Sequence, residues 1–148
     1  MHGFSFATDV RVRFAETDAQ GHAHHAAYLV WFETARVEYL ERFDGGYPGF
    51  QARGFEALTN EVHARYLEPV QFDDRLRIWT RCVDVRGARF RYEYVVEREG
   101  TVVAEGWTGH ACVDARTSRP TRLPAYLVEA IAAAEASVAR RPPAPEAA

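Results

Sequence analysis

The chain contains no lysine: all 18 of its basic residues are arginine. A Schiff-base lysine and the phosphate-gripping lysine of a P-loop are therefore excluded. Cysteine is scarce as well. Cys82 and Cys112 sit inside apolar, strand-like runs, which argues against a disulfide framework or a thiolate metal site and fits a reducing, cytoplasmic setting. No apolar run comes near the roughly 20 residues of a membrane-spanning helix. The opening MHGFSFATDV has neither the charged start nor the long apolar stretch of a secretion signal. An excess of positive charge is also missing. At a net charge of −3 the chain has no bulk attraction for nucleic acid.

What is present is enough apolar material for one core: 148 residues, 47% of them hydrophobic. Residues 1–140 read as a single domain, followed by a flexible Pro/Ala-rich tail over 141–148. The segment DVRVRF (9–14) alternates, with Val10, Val12 and Phe14 on one face, and predicts a half-buried strand. Residues 24–43 contain no Gly or Pro and predict a helix that ends at the breaker cluster DGGYPG. Its first turns are apolar nearly all round, which predicts burial on several sides. Glu38 and Arg42 stand at i,i+4, and Glu33 and Arg36 at i,i+3, spacings that suit ion pairs.

Beyond residue 56 the period changes to two. LTNEVHARY alternates loosely; RLRIWTRC sets Leu76, Ile78 and Cys82 against arginines; RFRYEYVV sets Phe90, Tyr92, Tyr94 and Val96 against charges. Short turns near RGA (86–88) and REG (98–100) predict antiparallel hairpins. A last strand over 101–114 carries Gly106 and Gly109, marks of a bend or a close backbone contact. An alanine-rich helix follows over 125–140. One long helix among about five antiparallel strands is an α+β pattern, with the sheet curved about the helix.

The chemistry concentrates in ETDAQGHAHHAAYLVWFETAR (16–36). Asp18 falls in the loop after the first strand, and His25 at the start of the helix. Free N–H groups and the positive end of the dipole converge there and suit an oxyanion. A carboxylate beside them can act as nucleophile or as general base. Gly21 would let a substrate approach the backbone closely. The layout suits acyl transfer to water.

The same stretch resembles the signature of the 4-hydroxybenzoyl-CoA thioesterase family. It carries an acid-T-D (Glu16, Thr17, Asp18), a glycine loop (Gly21), and Y-L-x-x-x-E-x-A-R (Tyr28, Leu29, Glu33, Ala35, Arg36). YLEPVQFDDRLRI, VRGARFRYEYVV, VAEGWTGHACVD and RPTRLP are similar to the family too, so the resemblance spans about residues 8–124. It implies a hotdog fold: a long central helix wrapped by a curved antiparallel sheet. It also implies hydrolysis of an acyl-CoA to a free acid and CoA, with no metal or organic cofactor. Asp18 would be the catalytic carboxylate, and a backbone N–H at or near His25 would polarise the thioester. A subgroup similar to the Tol-Pal-associated acyl-CoA thioesterases has histidine and tyrosine where His25 and Tyr28 stand, whereas another has G-H-V-N-N-x-x-Y. Gly21, His22 and Tyr28 match the second pattern, so the chain combines both and its acyl group stays open. The family assembles as homodimers or homotetramers with sites between subunits.

Plainer readings stand beside these. Asp18 can cap a turn. Asp18, Glu33 and His22, His24 and His25 can mimic a metal set, although adjacent histidines should diverge and no H-x-x-x-H pair occurs on the helix. Arg86 and Arg89, flanking Gly87, suit CoA phosphates or a solvated face equally. Tyr28, Trp31, Tyr66 and Trp107 are candidate pocket aromatics. A non-catalytic acyl-CoA-binding or regulatory protein and a hotdog hydratase/dehydratase are the competing functions, the latter disfavoured by the T-D-x-x-G pattern around Asp18.

Overall fold

A computed structural model describes residues 1–139; the expected tail over 141–148 lies outside the described residues. The chain runs β1 (Phe6–Arg11), a 3-10 turn (Phe14–Glu16), α1 (Ala27–Glu41), α2 (Gly46–Ala52), β2 (Phe55–Tyr66), β3 (Arg75–Arg86), β4 (Arg89–Arg98), β5 (Thr101–Asp114) and α3 (Ala125–Ala139). All strand pairs are antiparallel, in the order β1-β3-β4-β5-β2. The inner face of this sheet packs on α1, the α+β hotdog arrangement that the sequence implies.

The period-two readings of β3 and β4 hold. Leu76, Ile78 and Cys82 on β3 are buried, as are Phe90, Tyr92, Tyr94 and Val96 on β4. The β4–β5 turn is the tight kind, with Glu99 and Gly100 both at positive φ (50° and 83°). On β5, Gly106 is the close contact that its glycine foreshadows. A Cβ there would lie 2.4 Å from the His63 carbonyl oxygen and 2.9 Å from the Phe32 ring. Phe32, from α1, is fully buried and stacks on Tyr94 with centroids 4.2 Å apart. Gly109 makes room in the same way for Asn60, 3.0 Å away, where the β2–β5 register shifts between Thr59 and Glu61.

Four expectations change. β1 stops at Arg11, and Phe14, expected on its core face, is 76% exposed on the 3-10 turn, edge-on to Phe72. The glycine-proline cluster after α1 does not merely break the helix; it starts α2. Gly45 and Gly46 take positive φ (91° and 63°), and Pro48 sits in the first turn, where its missing N–H costs nothing. α1 begins at Ala27, and only one of its faces is covered. Tyr28, Trp31, Phe32, Ala35 and Tyr39 are buried, whereas Val30 is 50% exposed and Leu29 and Val37 are open as well. Arg42 does not pair with Glu38. Its guanidinium lies 4.5, 4.3 and 4.9 Å from the rings of Phe6, Tyr39 and Phe43, a cation–π setting.

The terminal helix is anchored by Glu135, which accepts hydrogen bonds from the Tyr39 hydroxyl and the Cys82 backbone N–H. Both cysteines are buried free thiols. No helix is long and apolar enough to cross a membrane among the described residues.

Gly106→Ala should cost about 1–3 kcal/mol or more, because the added methyl meets backbone on one side and a locked ring on the other. Urea denaturation of the two proteins checks it; Gly87→Ala, where a Cβ meets open space, serves as the comparison that loses only the cost of a positive φ.

Candidate active site

The loop from Glu16 to Ala26 is held by its own backbone and by Glu16. That side chain is buried; it accepts a hydrogen bond from Trp31 Nε1 at 2.8 Å and one from the Arg13 N–H at 2.8 Å, and its carbonyl accepts from His24 N. Bridges Thr17–Ala23 and His22–Gln71 close the loop on itself and on the β2–β3 connection. Gly21 sits at φ +78° with open space where a Cβ would be, so the turn itself requires glycine there.

An open cleft of about 320 Å³ lies where this loop meets the start of α1 and the end of β2. Asp18, His22, His25 and Tyr28 line it together, as the sequence suggests. Asp18 Oδ1 accepts N–H groups of Gln20 (2.9 Å) and His22 (3.3 Å). The capping role is therefore present, but it occupies one oxygen. Among the described residues Oδ2 has no hydrogen-bond partner, and neither has the His25 N–H. His24 turns its Nδ1 to the Ala26 N–H (3.2 Å), and its ring stacks on His25 at 4.0 Å, so the adjacent rings do not diverge as expected. Among those residues no three His, Cys, Asp or Glu side chains are set to hold a metal ion.

Tyr28 is buried beneath the cleft, and burial pushes its hydroxyl up to about 12, leaving it a neutral donor. Its ring meets Tyr66 edge-on at 4.8 Å, and Tyr66 donates to the His25 carbonyl at 2.7 Å. Trp31 points into the core toward Glu16. Trp107 is on the outer face of the sheet, against His63 and Arg91, because its neighbours Gly106 and Thr108 occupy the inner face. Leu67, Glu68 and Pro69 also line the cleft, and the sequence reading passed over them. Arg98 fixes this segment by donating to Pro69 O, Glu68 and Asp74 at 3.0–3.2 Å. The only sequence signal for them was the run YLEP inside the family resemblance.

Arg86, Gly87 and Arg89 form the β3–β4 turn, at the other end of the sheet. Arg89 lies across from Ala111, which pairs with Leu58, whereas the cleft sits by Tyr66. Eight residues of strand at about 3.4 Å each separate them by roughly 27 Å within one chain.

A buried polar chain crosses the core near that other end. Arg36 Nη1 donates to Tyr94 Oη at 3.1 Å, so Arg36 does not pair with Glu33 as its spacing suggests. Tyr94 and Thr108 hydroxyls lie 2.6 Å apart, His110 Nε2 is 2.6 Å from Thr108 Oγ1, and His110 Nδ1 is 3.2 Å from Thr59 Oγ1. One direction of donation satisfies every member: Arg36 to Tyr94 to Thr108 to a neutral His110, whose Nδ1–H points at Thr59. Burial, and then the charge of Arg36, push His110 down to about 3, in keeping with that neutral ring.

A helix wrapped by a curved antiparallel sheet, with a carboxylate loop at the helix start, defines a hotdog-fold enzyme. The sequence matches the thioesterase-like superfamily over residues 12–134. It is 30% identical over 124 residues to the acyl-CoA thioester hydrolase YbgC of Escherichia coli O6:H1, covering 83% of this chain and 92% of that protein. It is 27% identical over 124 residues to the long-chain acyl-CoA thioesterase FadM of Escherichia coli K12, covering 82% and 93%. A thioesterase of Thermus thermophilus, solved with coenzyme A and Zn, superposes with a TM-score of 0.80 at 28% identity, covering 96% of this chain and 99% of that one. The chain belongs to the thioesterase-like superfamily, and it is a thioester hydrolase.

His110 gives the fold a pH signature. Unfolded, the ring titrates near 6.5; folded, it stays neutral down to about 3. The unfolded state therefore takes up the extra proton, and stability present above pH 6.5 is lost as pH falls through that window. Between pH 7 and 5 the loss from this group should be about 2 kcal/mol. Urea midpoints against pH should show a shallower fall for His110→Asn than for wild type.

Proposed function

We propose that the protein hydrolyses acyl-CoA thioesters in the cytoplasm, with Asp18 as nucleophile or general base and the start of α1 as the oxyanion site. One observation carries the reading: a carboxylate oxygen without a protein partner and an unbonded His25 N–H share one cleft. The thioester oxygen would accept from the His25 N–H, where negative charge grows in the transition state. Asp18 Oδ2 would then attack the carbonyl carbon, or take a proton from an attacking water. Its other oxygen is already anchored by two backbone N–H groups, so little reorganisation is needed. The His25 imidazole is positioned to protonate the departing thiolate. His22, Gly21 and Tyr28 shape the floor beneath the acyl carbonyl. The names of the YbgC and FadM relatives and the coenzyme A in the Thermus protein support an acyl-CoA substrate.

A second copy of the chain completes the site in this reading. β2 is a 12-residue edge strand, mostly exposed, and a long free edge is a template for pairing. Val62 and Tyr66 on its inner face, with Leu29, Val30 and Val37 of α1, form an adjoining exposed apolar surface. Antiparallel pairing of two β2 strands about their midpoint, near Asn60, would bring the start of one strand to the end of the other. The Arg86–Arg89 turn of the partner subunit would thereby approach the Asp18 cleft, within reach of CoA phosphates.

Two experiments test this. Thiol release from short, medium, long-chain and aryl acyl-CoAs should reveal turnover that Asp18→Asn lowers by at least about 100-fold in kcat. Asparagine keeps the Oδ1 acceptor for Gln20 and His22, so its melting temperature should stay close to wild type. Near-normal turnover by the mutant removes Asp18 from the mechanism, and binding without turnover in the wild type points to a regulatory protein. Separately, Arg86→Gln/Arg89→Gln should raise KM with little change in kcat. Co-refolding it with Asp18→Asn should recover about a quarter of wild-type activity at low substrate, since half the dimers are mixed and each has one intact site. No recovery means that each chain grips CoA on its own.

A further inference from the structure

The core between α1, α2 and α3 encloses a cavity of about 160 Å³ that the proposed hydrolysis does not use. Its walls are apolar: Val37, Leu40, Phe50, Tyr92, Leu127 and Ile131 among others. Arg36 is the one cation lining it. A guanidinium has five N–H donors, and Arg36 spends one, on Tyr94. None of the ion pairs among the described residues involves it. Glu33 lines the same cavity but remains unpaired with it. A partly buried cation facing an apolar cavity, with most of its donors idle, is poised for a ligand anion.

We propose that this cavity binds a small aromatic monocarboxylate, its carboxylate on the Arg36 guanidinium and its ring among Leu40, Phe50 and Tyr92. The size decides for a ring: an engineered apolar cavity of about 150 Å³ in another protein holds benzene, whereas a long acyl chain has no room. The charge decides for a carboxylate. One cation among apolar walls, with the Glu33 acid alongside, balances a monoanion and repels a phosphate dianion. The one-way hydrogen-bond chain behind Arg36 keeps Tyr94 Oη as an acceptor, which holds the guanidinium in place as a preorganised fork. This site stands apart from the hydrolysis reading, because binding requires neither Asp18 nor turnover.

Calorimetric titration of the full chain with benzoate, and with benzamide as its uncharged isostere, tests it at pH 7. Benzoate should bind one per chain, at least about tenfold tighter than benzamide. Arg36→Gln should erase that difference, and Arg36→Lys should restore part of it. Leu40→Trp, which fills the cavity and leaves Arg36 in place, should weaken benzoate at least about tenfold, and it decides the matter if Arg36→Gln does not fold. Equal affinity for the two probes, or benzoate binding untouched by Leu40→Trp, overturns the proposal.

Discussion

The seat of Phe32 over Gly106 is the contact on which the remaining geometry rests. A ring from the middle of α1 drops into the one place on β5 where no side chain stands, and stacks flat on Tyr94 from β4. Because Phe32 is fully buried and has no space to shift, the helix is fixed against the sheet in height and rotation alike. Everything N-terminal to it then falls at the Asp18 loop, and everything C-terminal to it at the Arg36 cavity. One contact thus sets the positions of two sites at opposite ends of the same helix.

At the first end, an exposed and highly polar loop has to be held in one shape, and hydrophobic packing cannot do that. The work falls to hydrogen bonds from within. Glu16 is buried against Trp31, the loop closes through Thr17–Ala23, and Asp18 caps its own turn. The cap that looks like an alternative to catalysis is what orients the catalytic candidate, since it commits one carboxylate oxygen and leaves the other free. At the second end the order is reversed. An apolar shell surrounds a polar chain whose direction is set by the neutral His110 and by the single cation, Arg36.

Much of this was legible in the sequence. The alternation of Leu76, Ile78 and Cys82, and of Phe90, Tyr92, Tyr94 and Val96, registers a face directly, because period two leaves little ambiguity. Asp18, His22, His25 and Tyr28 could be gathered because they are close along the chain. What escaped depends on partners distant in sequence. Trp107 faces outward because Gly106 must face in. Arg36 turns to Tyr94, 58 residues away, instead of to the nearer Glu33. Leu29 and Val30 are apolar yet exposed, since local hydrophobicity records that a face is to be covered without saying by which chain. α2 was hidden for a different reason: glycine and proline read as breakers unless their places within the first turn are known.

The irregularity at Asn60 has a consequence for how β2 tolerates change. Before it, Ala57 and Thr59 face the helices; after it, Val62, Ala64 and Tyr66 do. The extra residue shifts the phase of the strand, so odd numbers point inward on one side and even numbers on the other. Deleting that single residue would leave both halves hydrogen-bonded but turn one of them over. Tyr66 would swing its hydroxyl away from the His25 carbonyl, and His63 and Arg65 would face the core in place of Ala64 and Tyr66. A length change of one residue in an exposed strand is thereby equivalent to rewriting half a face, and substitutions at Asn60 are far safer than its loss.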